Sequence, residues 1–184
     1  MSVFITCSAI FVLCSPPLAA AKCTRNPVIF NFGDSNSDTG GFPGAHGYIF
    51  NYPYGRENVE MDYLSSYLES LTPHFKNGVN FAVSGSQTLP KSVLFSLSTQ
   101  LLQFSRFHNR SLEFHSKGIK GMLGEEDFEN ALYMIDIGQN DISDAFSNLS
   151  KAQVIEKIPS FISEIKDGIR VCSTLSSSYL FLFQ

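Results

Sequence analysis

Residues 28–41 read VIFNFGDSNSDTGG, an apolar run that stops at Gly33 and gives way to small, oxygen-bearing side chains. A short and nearly continuous apolar segment of this kind predicts a strand buried on both faces of a parallel sheet. The residues just past it leave the strand's carboxyl end, where open α/β sheets bind their ligands. Three chemistries compete for that position. A calcium loop would use the alternation of Asp34, Asn36 and Asp38, but its sixth position is Thr39 where Gly is needed, and its twelfth is Ala45 where a bidentate Glu is needed. A phosphate cradle needs a Gly-rich turn that opens directly into a helix, often with a Lys; here the glycines precede more loop and no Lys follows in the run. A nucleophile fits better, because Ser35 would be held rigidly at the sheet edge and would need only a base and oxyanion donors to act. Residue types alone nonetheless favour an ordinary turn, since Asp, Asn and Ser commonly satisfy backbone groups in turns.

Two more apolar runs end in polar turns. Residues 78–82 (GVNFA) predict a second short strand entering Ser84, Gly85 and Ser86, and residues 131–137 (ALYMIDI) predict a third that ends at Gly138, Gln139, Asn140 and Asp141. Gly85 has small neighbours that would let a backbone N–H face a ligand, and Asn140 could add a side-chain N–H. Between these strands, residues 38–56 are rich in Gly, Pro, Tyr and Asn and predict a long irregular loop. Residues 64–71 suggest a short helix stopped by Pro73. Leu97, Leu101, Phe104 and His108 recur at three- and four-residue steps and predict an amphipathic helix, broken by Gly118, Gly121 and Gly124. Residues 125–130 are polar. Val154, Ile158, Phe161, Ile165 and Ile169 mark a further helix, which Pro159 is expected to split or kink. The apolar run 179–183 (YLFLF) comes last. Strands alternating with helices predict an α/β layered sheet.

The 184 residues, 43% hydrophobic and 16% charged, suit one globular domain and exclude a disordered or coiled-coil chain. A net charge of −4 gives no electrostatic reason to bind nucleic acid. Trp is absent and Phe numbers 17, so the aromatic content reads as core. Residues 1–21 form an uncharged apolar leader ending in Ala19, Ala20 and Ala21, the composition of a signal peptide with a small-residue cleavage site. Residues 22–184 are then the mature domain, with no stable membrane span once the leader is cut, and Pro16-Pro17 and the shortness of the run argue against an uncleaved anchor. Export would remove Cys7 and Cys14 and leave Cys23 and Cys172, whose pairing the sequence leaves open. Asn109 and Asn148 head the sequons Asn109-Arg-Ser111 and Asn148-Leu-Ser150, glycosylation acceptors in an exported chain.

The three blocks GDSNSDTGG (33–41), NFAVSGS (80–86) and DIGQND (136–141), in this order, resemble the signature blocks of the plant GDSL-motif esterase/lipase family, a branch of the SGNH hydrolases. The likeness runs from about Cys23 to about Arg170 and looks nearest to the early-nodulin-type subgroup. It implies an SGNH-hydrolase (flavodoxin-like) three-layer parallel sheet of the α/β class, here truncated. It also implies Ser35 as nucleophile, with an oxyanion hole made by the backbone N–H groups of Ser35 and Gly85 and the Asn140 side chain. Cleavage of carboxylic esters, small-molecule or lipid, through an acyl-enzyme would need no metal or organic cofactor. A cell-wall or apoplastic location would follow. Asp34 and Asp38 would brace the loop.

Two departures matter. The family's final Asp-x-x-His block is missing: Pro43, Leu71, Ser105 and Leu112 stand three residues before His46, His74, His108 and His115. His108 is expected to pack on a helix stripe and the others to lie at the surface. The second departure is a shortened link, residues 56–62, where the family carries a Gly-Arg-Phe-Ser-Asp-Gly-Arg-like stretch and a helix. The chain thus reads as the amino-terminal part of a serine ester hydrolase, lacking the base and inactive alone. Its rivals are a non-catalytic ester- or glycan-binding remnant of the same fold and a calcium-dependent extracellular module.

Overall fold

The structure, a computed structural model, describes residues 28–48, 64–68, 73–90, 94–174 and 181–182. The leader at 1–21, Cys23, the shortened link at 56–62 and the later part of the expected loop lie outside the described residues. Four parallel strands, β1 (Ile29–Gly33), β2 (Gly78–Asn80), β3 (Leu132–Asp136) and β4 (Phe181–Leu182), form one sheet in the order β2-β1-β3-β4. The parallel α/β architecture expected from the sequence is therefore present. Successive strands lie on opposite sides of β1, so the direction of winding reverses there. Such a reversal opens a crevice outside the carboxyl ends of the flanking strands.

Register explains how the sheet divides its faces. Phe30 stands beside Val79 and Tyr133, and Phe32 beside Ile135. All five are buried and meet Phe81 and the long helix α2 (Leu97–Ser116). Phe30 stacks on Phe128 at 5.1 Å and Phe32 on Phe81 at 5.3 Å, while Phe104 of α2 meets Phe32 and Tyr133 edge-on. Rings at these separations add favourable quadrupole contacts to their burial. The phenylalanines do make the core, as composition suggested. On the opposite face, Asn31 and Asn80 are register partners and hydrogen-bond amide to amide at 2.8 Å. Asn80 also donates to the Ser37 carbonyl and the Thr39 hydroxyl, which ties the end of the first polar run to β2.

Three expectations need correction, and the stretch 125–130, read only as polar, proves largely helical. The loop from residue 38 contains a short helix, α1 (Gly41–His46). Its first N–H groups, those of Gly41 and Phe42, donate to the Asp38 carboxylate, and Pro43 has no N–H to satisfy. Residues 64–68 are not helical: Ser66 makes an isolated parallel bridge to Asn80. The polar stretch after Gly124 is a helix, α3 (Glu125–Glu129), pinned by the single buried ring of Phe128. Pro159 does not split its helix. After α4 (Gln139–Asn148), α5 (Lys151–Ser173) runs through it. Pro159 and Ile155 both face solvent, so water can satisfy the carbonyl that the ring leaves without a partner. Ser150 caps α5, accepting from Gln153 N–H while the Gln153 side chain accepts from Ser150 N–H.

Helix α5 packs close to α2, where a Cβ on Gly168 would meet Leu101 at 3.4 Å and Leu97 at 3.5 Å. Cys172, near its end, is a buried thiol with no disulfide partner among the described residues. Burial pushes its pKa up to about 12, which makes it a packing group without thiolate character. Among the described residues no helix is long and apolar enough to cross a membrane.

Candidate functional site

The three polar turns lie at the carboxyl ends of three adjacent strands, with the Ser35 turn in the middle. Backbone geometry fixes its place. A Cβ on Gly33 would fall 2.4 Å from the Asp136 carbonyl oxygen, so only glycine lets β1 and β3 stay paired while the chain turns out into residues 34–37. Asp34 N–H donates to Asp136 C=O at 3.2 Å, and Ser37 N–H closes the turn on the Asp34 carbonyl. Ser35 then stands exposed at the tip.

Two carboxylates expected to brace the loop do so, each with defined partners. Asp38, buried, accepts from the N–H groups of Gly40, Gly41 and Phe42 and from both the N–H and the hydroxyl of Ser84. It thereby locks the first polar run to the second. Asp34, 0% exposed, accepts from Asn36 N–H and from the Gln139 amide on one oxygen. Burial lifts its carboxyl above the usual 3.8, the two hydrogen bonds oppose this, and the carboxylates of Asp136 and Asp141 add to the rise. Both Asp38 oxygens are thus engaged, while Asp34 Oδ2 is buried without a hydrogen-bond partner among the described residues. Asp141, also buried, receives the N–H and hydroxyl of Thr88 at 2.8 Å each and joins the third turn to the segment after the second.

Gly85 takes φ +82°, and a Cβ there would meet nothing within 4 Å, so its backbone faces open space. Neither Ser35 N–H nor Gly85 N–H has a hydrogen-bond partner among the described residues. The Asn140 amide donates one proton to the Ser86 carbonyl at 2.9 Å, which aims the side chain across the second turn and leaves its other proton uncommitted. The three turns thus carry an exposed hydroxyl at Ser35, two N–H groups without a partner among the described residues, and one uncommitted amide proton at Asn140. Donors of this kind are what a developing oxyanion requires.

Two residues of the site escaped the sequence reading. Gln100, on α2 and 0% exposed, accepts from Gly33 N–H at 2.9 Å and donates to Gly33 C=O at 2.8 Å and to the Ser86 hydroxyl at 3.1 Å. Asp34 N–H points to β3, so Gly33 N–H points the other way, and Gln100 fills the place of a ladder partner beyond the end of β2. Gln139 donates to Asp34 and, at 3.3 Å, to the Ser35 hydroxyl oxygen. Its one sequence signal was its place between Gly138 and Asn140 in the third turn.

No histidine reaches this group. His108 is 9% exposed and wedged against Phe128 at 4.5 Å, His46 stacks on Phe42 at 4.3 Å at the end of α1, and His74 and His115 are exposed. None hydrogen-bonds Ser35. Asn109 and Asn148 are both exposed on helix surfaces.

The sequence profile of the family described as GDSL-like Lipase/Acylhydrolase matches residues 29–176. Similar proteins of Arabidopsis thaliana include GDSL esterase/lipase LIP-4, 46% identical over 180 residues, a match covering 84% of this chain and 48% of the relative. GDSL esterase/lipase At3g62280 is 44% identical over 182 residues, covering 86% and 50%. A third, Alpha-L-fucosidase 3, is 40% identical over 188 residues, covering 85% and 50%. The chain spans about half the length of the curated relatives it matches.

Proposed function

Because the chain belongs to the GDSL-like lipase/acylhydrolase family, we propose that it carries the nucleophile and oxyanion hole of a serine ester hydrolase. Ser35 Oγ attacks the carbonyl carbon of a small-molecule or lipid ester, and its proton passes to a base. The carbonyl oxygen becomes an oxyanion, held by the N–H groups of Ser35 and Gly85 and the Asn140 amide. The tetrahedral intermediate then expels the alcohol, and water hydrolyses the acyl-enzyme that remains. What supports this reading is an exposed serine on the middle of three adjacent strand exits, with N–H groups uncommitted on its own turn and on the turn at either side. The base is not among the four histidines, so turnover by this chain alone is expected to be slow.

The test is fluorophosphonate labelling of the purified chain, with mass spectrometry to locate the adduct and Ser35→Ala as control. Adduct on Ser35, lost in the variant, supports the assignment. Nitrophenyl-ester hydrolysis that survives Ser35→Ala unchanged would refute it. Saturable ester binding by a folded chain that does not label would make it a binding remnant.

The relative named Alpha-L-fucosidase 3 supplies a second reading, a glycosidic substrate at the same place. Glycoside hydrolysis needs two carboxyl groups flanking the scissile bond. Asp34 is wholly buried beneath Gln139, which favours the ester. Nitrophenyl fucoside assayed beside the esters separates the two.

Export to the cell wall or apoplast belongs to the same proposal and rests on the leader at 1–21. Secreted chain beginning at Lys22 or Cys23, with an endoglycosidase-sensitive mass lost in the Asn109→Gln, Asn148→Gln double variant, is the expected result.

A further inference from the structure

We propose that Gln139 is a positioning residue whose side-chain amide, anchored on Asp34, turns the Ser35 hydroxyl so that its proton points out of the sheet toward base and substrate. The proposal rests on Ser35 being the nucleophile. Gln139 is the first residue of α4 and its side chain is exposed, so its amide has no packing to fix it. Two acceptors fix it instead. Nε2 lies 3.1 Å from Asp34 Oδ1 and 3.3 Å from Ser35 Oγ, and an NH2 group has one proton for each.

The anchor settles which end of the amide faces inward. Asp34 Oδ1 already accepts from Asn36 N–H at 3.1 Å, and an ionised carboxylate can only accept. A flipped amide would set Oε1 against that oxygen. With the nitrogen inward, Ser35 Oγ must be the acceptor of its bond to Gln139. Its own proton then goes elsewhere, and no acceptor among the described residues takes it. One lone pair is held, the proton is free, and the other lone pair faces the open side. As a base removes the proton, the Gln139 N–H is already aimed at the oxygen on which charge grows. Such preorganised donation needs no rearrangement during reaction. Asp34, anchored from below, is what stops the glutamine from rotating away.

The experiment compares the full chain with Gln139→Leu and Gln139→Glu, using fluorophosphonate labelling of Ser35 across pH and the side-chain amide signals in a nitrogen–proton correlation spectrum. Gln139→Leu should lower the maximal labelling rate about tenfold, the scale of one well-aligned hydrogen bond, and leave the half-saturating probe concentration unchanged. Gln139→Glu sets a second carboxyl against Asp34, with Asp136 and Asp141 near by. Protonated, it can donate to Ser35; ionised, it cannot. Its rate relative to wild type should therefore rise on acidification, whereas that of Gln139→Leu stays flat. The Gln139 amide pair, assigned by its loss in Gln139→Leu, should move in Ser35→Ala. Wild-type labelling by Gln139→Leu, a loss confined to probe affinity, or a loss that merely follows a lowered melting temperature overturns the proposal. If the folded wild-type chain does not label, the nucleophile reading fails, and the amide pair alone decides the placement: moved in Ser35→Ala it stands, unmoved it falls.

Discussion

Replacing Gln100 by Leu should cost the fold far more than the same replacement at Gln103, three residues along one helix. Gln100 is fully enclosed and makes three hydrogen bonds, to both backbone groups of Gly33 and to the Ser86 hydroxyl. Leucine keeps most of the volume, so little cavity term arises. The loss is polar. Gly33 C=O retains Val83 N–H at 3.2 Å, but Gly33 N–H is left without a partner, an orphan costing about 1–3 kcal/mol. The two other bonds are worth roughly 1 kcal/mol each, and the apolar side chain returns roughly 1.5 kcal/mol through burial. A net loss of about 1.5–3.5 kcal/mol follows. With a urea m-value of about 2 kcal/mol per molar, the midpoint should fall by roughly 0.7–1.8 M. Gln103 has the opposite balance: its Oε1 is buried with no partner, so Gln103→Leu removes an unsatisfied acceptor and should shift stability by about 1 kcal/mol or less, toward greater stability. Urea titration followed by circular dichroism reads both. Gln100→Leu should also slow Ser35 labelling, because Gly33 sets where the turn begins, while Gln103→Leu should not. Equal midpoints for the two variants would refute the clamp.

Three further expectations are independent of that one. Asp38→Ala strips the shared acceptor from α1 and from Ser84, and should cost about 3–4 kcal/mol on the scale of bonds to a charged group. Calcium should not raise the wild-type melting temperature, and a rise abolished by Asp38→Ala would revive the metal reading. Burial lifts the Asp136 carboxyl above 3.8, with the Asn36 side chain pulling it down; the folded state therefore holds that proton more tightly, and stability is lost as pH climbs from 3.8 through the folded value. Asp136→Asn should gain on wild type across that window and keep the gain above it, so a pH-independent difference in urea midpoint would contradict the burial cause. Finally, His46→Ala, His74→Ala and His115→Ala should each label at Ser35 within about twofold of wild type, well below the effect of removing a general base, and a larger drop would identify the base.

The strands and the three polar turns were legible because each rests on a local pattern: an apolar run interrupted by glycine and small polar residues. The long helix was legible for the same reason, since Leu97, Phe104 and His108 all prove buried. Gln100 was hidden inside that stripe. A glutamine at an inward helical position cannot be told from a surface one by spacing, and its partners lie 67 and 14 residues away. Helix α1 was hidden because propensity argues against Gly-Phe-Pro-Gly, and what holds it is the Asp38 carboxylate three residues before its start. Pro159 misled in the other direction. The rule against proline assumes a carbonyl deprived of its partner in a dry place, and here that carbonyl faces water.

The same contacts bear on how the proposed nucleophile could be placed independently of a base. Every group that positions Ser35 sits on the three strand exits or on α2, and Asp38, Asp141 and Gln100 cross-link these pieces to one another. The proposed nucleophile and oxyanion donors therefore sit on turns that hydrogen bonds tie into one unit within the described residues. A histidine drawn from that unit would have to come from the core. His108 could leave only by breaking its contact with Phe128, which itself stacks on Phe30 of β1. His46, at the last residue of α1, is held by its own Phe42 carbonyl and by stacked rings. On the proposed reading, proton transfer is thus separable from charge stabilisation. Labelling by a reactive phosphonate is one displacement, in which fluoride leaves and the Ser35 proton passes to solvent, while ester turnover also needs a base to activate the water that frees the acyl-enzyme. Fast labelling combined with slow turnover is the signature that this division of labour predicts, and the ratio of the two rates measures what the base contributes.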